Sequence, residues 1–416
     1  MTRKEIDKGI FLTQAEGNYK KSRLSIYLAS PLVRETLTTT AMLPFVLERG
    51  TARLPDMTLL RRKQNELYGA NLSTNYSGYG FARIIEGHID GVDASLLSDG
   101  MDIMRQKTEL LSDVLFDPYV EERAFPTQSV DIEREKLREV IRSVINDKRE
   151  YCAKLLFESF FEGDERALPA DGYEQDLASI GGAKLYETYA GTTGSSRVEI
   201  IYVGSRYDGL EEAILKNIGS REPAAIKDIT AVPKRELKTV TEVMDVEQDK
   251  LAMAFTTGRV LDLRELIIQR VASALLGGSP TSRLFMNVRE KQSLCYSIGS
   301  RPHYKAGGGM VIECGIEHEN TARARQAILQ ELDTLAKEGP TDKELAEIKL
   351  LFSNYMGAVY DSSTALAGQM YSTIMLYGDI IAPEKELEYV NSVTAGEVKA
   401  MLSEMHLNTI SCISKA

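Results

Sequence analysis

The sequence predicts an α+β protein made of two homologous domains in tandem, each a mainly antiparallel sheet covered by helices. Three observations carry that prediction. The chain has 416 residues, room for two to three domains at about 150 residues each. The order of strand-like, helical and glycine-rich segments in the first half recurs in the second. Each half also ends in long amphipathic helices, whose apolar stripes need a sheet to cover. The boundaries follow: a first domain over 1–205, a connector over 206–238 and a second domain over 239–416.

The elements fall in the same order in both halves. An apolar, strand-like run opens each repeat, Leu24 to Ala29 and Leu251 to Phe255. Arg34-Glu35 and Arg264-Glu265, 230 residues apart, then each begin a pattern with apolar residues three and four apart. A glycine break follows at Gly50 and, 227 residues on, at Gly277-Gly278. A short charged helix leads from each break to a polar, aromatic strand, Leu72 to Tyr79 or Tyr296 to Ser300. Amphipathic helices are expected over 100–118 and 131–161, then over 319–339 and 342–363, packed on one face of each sheet. Val198 to Gly204 reads as the last strand of the first half. Gly209, Pro223 and Pro233 mark the connector.

Composition narrows the function. Hydrophobic residues at 43% and charged residues at 27% suit a folded soluble protein. Sixty-one acidic against fifty basic residues leave a charge of −11, so a general basic surface for nucleic acid is not expected. No run of 18 apolar residues predicts a membrane span, and the opening residues lack the apolar core of a secretion signal. Cys152, Cys295, Cys314 and Cys412 form no CxxC pair and read as reduced thiols. These features point to a cytoplasmic protein with neither membrane nor nucleic-acid partners.

Familiar chemical signatures are missing. The chain has no GxGxxG, GxxxxGK[ST] or GxSxG. Its four histidines, His88, His303, His318 and His406, are too far apart to pair on one helix. Cys314 and His318 would need two further metal ligands, and a buried cysteine beside a surface histidine is the simpler reading. Cys295 has no histidine near it in sequence to act as its base. SRLFMNVRE reads as a helix ending near Glu290, KQS as a turn and LCYSIGS as a strand. Arg289 and Tyr296 can therefore converge on one point and donate to a peptide carbonyl gaining charge. The bland alternative makes Arg289 part of a solvated run and Tyr296 a core aromatic.

The segment TSRLFMNVREKQSLCYSIGS resembles the C-terminal repeat of the pitrilysin/insulinase metallopeptidases, the family of mitochondrial processing peptidase, where the stretch reads SSRLF…lREk.gLaYsv.S. The resemblance extends over nearly the whole chain. It implies a processing-peptidase-like fold and makes Arg289 and Tyr296 a substrate-binding pair. Active members also carry HxxEH followed by Gly-Thr, as in HFLEHMLFKGT. Aligned on Gly50-Thr51, that motif becomes AMLPFVLERGT. Ala41 and Phe45 replace the two zinc-binding histidines, and Pro44, which should kink or shorten the helix, replaces the glutamate. The third zinc ligand falls near Val140, one position from Glu139. This chain is thus expected to bind no metal or other cofactor. The resemblance implies a non-zinc subunit of a heterodimeric peptidase, offering Arg289 and Tyr296 in trans to a paralogous HxxEH partner that holds the zinc. Peptides would bind extended on a sheet edge, sought over 72–87 and 296–315. The alternative is a catalytically inactive scaffold or peptide-binding protein of the same fold.

Overall fold

The computed structural model describes residues 1–98 and 100–416. Eleven described strands form two sheets. The first contains β1 (Arg3–Asp7), β2 (Ile10–Glu16), β3 (Lys21–Pro31), β4 (Asn71–Tyr79), β5 (Ala82–Val92) and β6 (Arg197–Gly204), in the order β1-β2-β6-β3-β5-β4. The second contains β7 (Lys238–Met244), β8 (Asp249–Thr256), β9 (Ser297–His303), β10 (Gly309–Ile316) and β11 (His406–Lys415), in the order β7-β11-β8-β10-β9. Apart from the extra β1, the two orders correspond strand for strand. Each sheet also has one parallel pair, β2 with β6 and β7 with β11, and is otherwise antiparallel. The repeat read in the sequence is therefore a repeat of topology.

The chain folds into two compact units that do not follow its halves. One comprises 1–142, 170–227 and 358–382; the other comprises 143–169, 228–357 and 383–416. The boundaries 1–205, 206–238 and 239–416 cut across both. Two segments account for the difference. The stretch 131–161 is not one helix: Thr127–Ser143 ends, and a new helix, Lys148–Phe160, starts behind Asp147, whose side chain accepts from the N–H groups of Arg149 and Glu150. Cys152, Leu156 and Phe160, one stripe of that second helix, pack on Ala252, Ala254, Val311 and Ile413 of the second sheet. Helix Ser363–Tyr377 supplies Leu366, Met370 and Ile374 to the first sheet, against Tyr27, Ile84 and Ile201.

Each sheet is consequently covered on both faces, where helices on one face were expected. The other face of the first sheet carries the larger core, in which Ile26, Leu28, Ile85 and Ile89 meet Ala41, Leu43 and Leu47 of helix Leu37–Leu47. That helix runs through Pro44 but has 11 residues, against 14 in its counterpart Leu263–Leu276. No described helix is long and apolar enough to cross a membrane.

Candidate functional site

Leu284–Lys291 is a wide helix of π type, a geometry that re-aims side chains. It ends in a tight turn in which Ser293 adopts φ 51°, its N–H donating to the Arg289 carbonyl. Leu294 and Cys295 then turn inward and are buried, which forces Tyr296 outward at the start of β9. Arg289 lies over the Phe285 ring, 4.4 Å from its centre. Its Nε donates to the backbone oxygen of Tyr296 at 2.8 Å, and Nη1 lies 3.2 Å from Glu290.

Tyr296 is 56% exposed, so it is not a core aromatic. Its hydroxyl donates to Glu317 Oε1 at 2.7 Å, and that hydrogen bond, together with the carboxylate's negative charge, raises the phenol's pKa. The structure brings the two predicted residues together, but by a different contact from the one expected. Arg289 holds the backbone of Tyr296, and the phenol is the exposed donor. Glu317 was not anticipated. It sits between Cys314 and His318, where the sequence drew attention to metal ligands instead of to a carboxylate acceptor.

Cys314 and His318 point to different partners: Cys314 Sγ lies 3.8 Å from the Leu251 carbonyl, while His318 Nδ1 lies 3.1 Å from Asp249. All four cysteines are free and buried. Burial pushes the Cys295 thiol up to about 11, leaving almost no thiolate nucleophile at neutral pH. Alongside β9 lies a cleft of about 170 Å³, whose lining includes Arg149, Cys152, Lys250, Ser297, Glu313 and Gly315. Glu313 is flanked by Arg149 and Arg301, each at 3.3 Å.

In the other unit, the residues at the expected zinc motif do not fit a metal ion. Ala41 and Pro44 are buried and offer no side-chain donor. Phe45 packs edge-on against Tyr76, with ring centres 6.1 Å apart. Val140 and Glu139 are exposed on helix Thr127–Ser143. Among the described residues no group of three His, Cys, Asp or Glu side chains is arranged to hold a metal.

The expected edge regions do contain the edge strands: β4 closes one end of the first sheet and β9 one end of the second. Both edges are partly occupied. On β4, the Thr74 N–H donates to Glu48 Oε1 at 2.6 Å and the Tyr76 N–H to Asn75 Oδ1 at 2.8 Å. On β9, the Ser300 N–H donates to the Gly277 carbonyl at 3.1 Å. A Cβ on Gly277 would come within 2.7 Å of that nitrogen, so the glycine break is what lets the loop reach the strand.

This geometry has relatives. Residues 179–352 match the model of the Peptidase M16 inactive domain. The chain is similar to inactive, peptidase-like proteins of the M16 family. It is 28% identical to the probable inactive metalloprotease YmfF of Bacillus subtilis, over 94% of this chain and 92% of that one. It is 24% identical to the uncharacterized zinc protease YmxG of the same bacterium, over 70% and 71%. A conserved protein from Enterococcus faecalis V583 superposes with a TM-score of 0.88 at 24% identity, covering 100% of this chain and 98% of that one. A peptidase M16 inactive domain from Pseudomonas fluorescens superposes with a TM-score of 0.79 at 17% identity, covering 98% and 96%.

Proposed function

We propose that this chain is the non-zinc subunit of a heterodimeric zinc peptidase acting on peptides in the cytoplasm of a bacterial cell. Its partner is a paralogous chain carrying HxxEH. The observation that carries the reading is the Arg289–Tyr296 contact at 2.8 Å, which fixes an exposed phenol donor at the start of an edge strand. In the complex the scissile carbonyl takes the place of Glu317 as acceptor from Tyr296. Arg289 keeps Tyr296 in position and lends positive charge to the developing oxyanion. A zinc ion held by the HxxEH residues of that partner would supply the activated water. Bacillus subtilis has both a relative described as an inactive metalloprotease and one described as a zinc protease, as a two-chain enzyme requires.

The test is reconstitution. The pure chain is expected to leave unfolded peptides intact, and the mixture with an HxxEH paralogue to co-elute as one species and cleave them. Chelator-sensitive cleavage by the pure chain overturns the proposal. A second reading, a catalytically inactive scaffold or peptide-binding protein of the same fold, draws on the engagement of Tyr296 with Glu317. It predicts co-elution, or peptide binding by the chain alone, with no cleavage in any mixture.

A further inference from the structure

Arg83 lies on β5, opposite Gly78 of the edge strand β4, and is only 3% exposed. Its guanidinium carbon sits 4.4 Å from the centre of the Tyr76 ring. Nε and Nη2 are buried, and among the described residues neither has a hydrogen-bond partner. The nearest influential carboxylate, Asp171, is engaged elsewhere: it accepts from the Tyr76 hydroxyl at 2.6 Å. Burial lowers the guanidinium pKa to about 10, which still leaves it charged at neutral pH. A buried cation with two idle donors is costly, and native proteins keep such groups satisfied.

The identity of the idle atoms specifies a partner. Nε–H and Nη2–H are the parallel donors along one edge of the guanidinium, and they match the two oxygens of a planar carboxylate. A phosphate would need further donors, and Asp171 would oppose its extra charge. Tyr76 covers the guanidinium and is itself held by Asp171 at one end and packed by Phe45, from the lost metal motif, along its ring.

We propose that Arg83 anchors a carboxylate-binding site at the position of the erased metal motif, entered when the Tyr76 ring lifts from the guanidinium. The carboxylate belongs either to a small organic acid or to a peptide C-terminus. The site needs neither a partner chain nor Tyr296, so its fate is separate from that of the heterodimer reading.

The experiment compares melting temperatures of the full chain in sodium acetate and in sodium chloride at equal ionic strength. Wild type is expected to gain several degrees in acetate. Asp171→Asn removes the competing carboxylate and loosens the Tyr76 hydroxyl, so it should respond at about tenfold lower acetate. Arg83→Met should lose the response. Absence of an acetate-specific gain in both wild type and Asp171→Asn overturns the proposal, as does a gain that Arg83→Met retains. If Arg83→Met does not fold, wild-type crystals soaked in bromoacetate decide: a bromine anomalous peak beside Arg83 supports the site, and only a water there refutes it. A four-residue peptide acid bound more tightly than its amide assigns the carboxylate to a peptide terminus; equal binding assigns it to a small acid.

Discussion

The Nε of Arg289 donates to the backbone oxygen of Tyr296 across 2.8 Å, so the arginine positions the tyrosine through its main chain. The phenol then has one competitor for its proton, Glu317. This separates the roles of the two residues in the proposed heterodimer. Tyr296→Phe removes the donor alone and should lower kcat by roughly 10²- to 10³-fold with little change in KM or assembly. Arg289→Lys keeps the charge but loses the planar fork that reaches the carbonyl, so it should be impaired, though less than Arg289→Ala. Glu317→Gln weakens the competing acceptor and should leave kcat at or above wild type. Steady-state kinetics on co-purified heterodimers read all four, and wild-type turnover from Tyr296→Phe would remove the pair from the mechanism.

The turn that connects the pair is strained. Ser293 adopts φ 51°, a region that costs an L-residue about 1 kcal/mol or more and that glycine occupies freely. Ser293→Gly should therefore be neutral or slightly stabilising in urea denaturation. Ser293→Val, with a β-branched side chain at positive φ, should lose roughly 1–2 kcal/mol and carry Arg289 and Tyr296 out of register. Equal stability of the two variants would mean that the turn relaxes to another conformation.

Much of the architecture was legible because the strands announce themselves. Leu24 to Ala29 and Leu251 to Phe255 are apolar runs of strand length, and the matching offset between Gly50 and Gly277 points to the repeat, but neither shows that both faces of each sheet are covered. The destination of helix Lys148–Phe160 was not legible. Its stripe of Cys152, Leu156 and Phe160 declares an apolar face but cannot say which sheet the face will meet. Its start lies at Asp147, a residue type that commonly caps helices, inside the stretch 131–161. At the candidate site, spacing placed Arg289 near Tyr296, but the contact depends on a π-type helix and a positive φ, and neither leaves a distinctive residue pattern. In the sequence nothing sets Arg83 apart from other charged residues on strands. Only packing reveals that its neighbours leave two donors idle.

A buried lysine gives stability a pH dependence that can be checked directly. Lys107 is 1% exposed and donates to Ser22 Oγ at 2.5 Å and to the Val92 carbonyl at 3.2 Å. Burial lowers its pKa to about 8, with Asp93 and Asp90 partly opposing the shift. The unfolded chain holds this proton up to about pH 10.4, so between pH 8 and that value the unfolded state binds more protons. Stability should accordingly rise with pH across that window by up to about 3 kcal/mol from this group. Lys107→Met cannot titrate, so the wild-type-minus-variant difference in urea unfolding free energy should climb from pH 8 to pH 10. A flat difference would show that Lys107 stays charged throughout.

The edge of β4 supplies the last prediction, because it decides whether the chain can take up an extended peptide there. The Thr74 N–H is a main-chain donor on an edge strand, and Glu48 Oε1 accepts from it at 2.6 Å as an added strand's carbonyl would. The same carboxylate oxygen takes the Thr74 hydroxyl at 3.1 Å, while that hydroxyl also reaches the Pro44 carbonyl at 2.7 Å. Glu48 thus ties the edge strand to the helix of the lost metal motif and fills one position of the ladder. Glu48→Ala should cost about 1 kcal/mol of stability, the usual worth of such a bond. It should also release the donor for a peptide. If extended peptides pair with β4, the variant binds a labelled unfolded peptide up to about tenfold more tightly despite its lower melting temperature, since about 1.4 kcal/mol corresponds to a factor of ten. Asn75→Ala, which frees the Tyr76 N–H, should act in the same direction. If peptides bind only at β9, both variants lose stability with the dissociation constant unchanged. Opposite movement of Tm and affinity in one variant is the signature of an occupied edge, because general loosening of the fold would weaken both together.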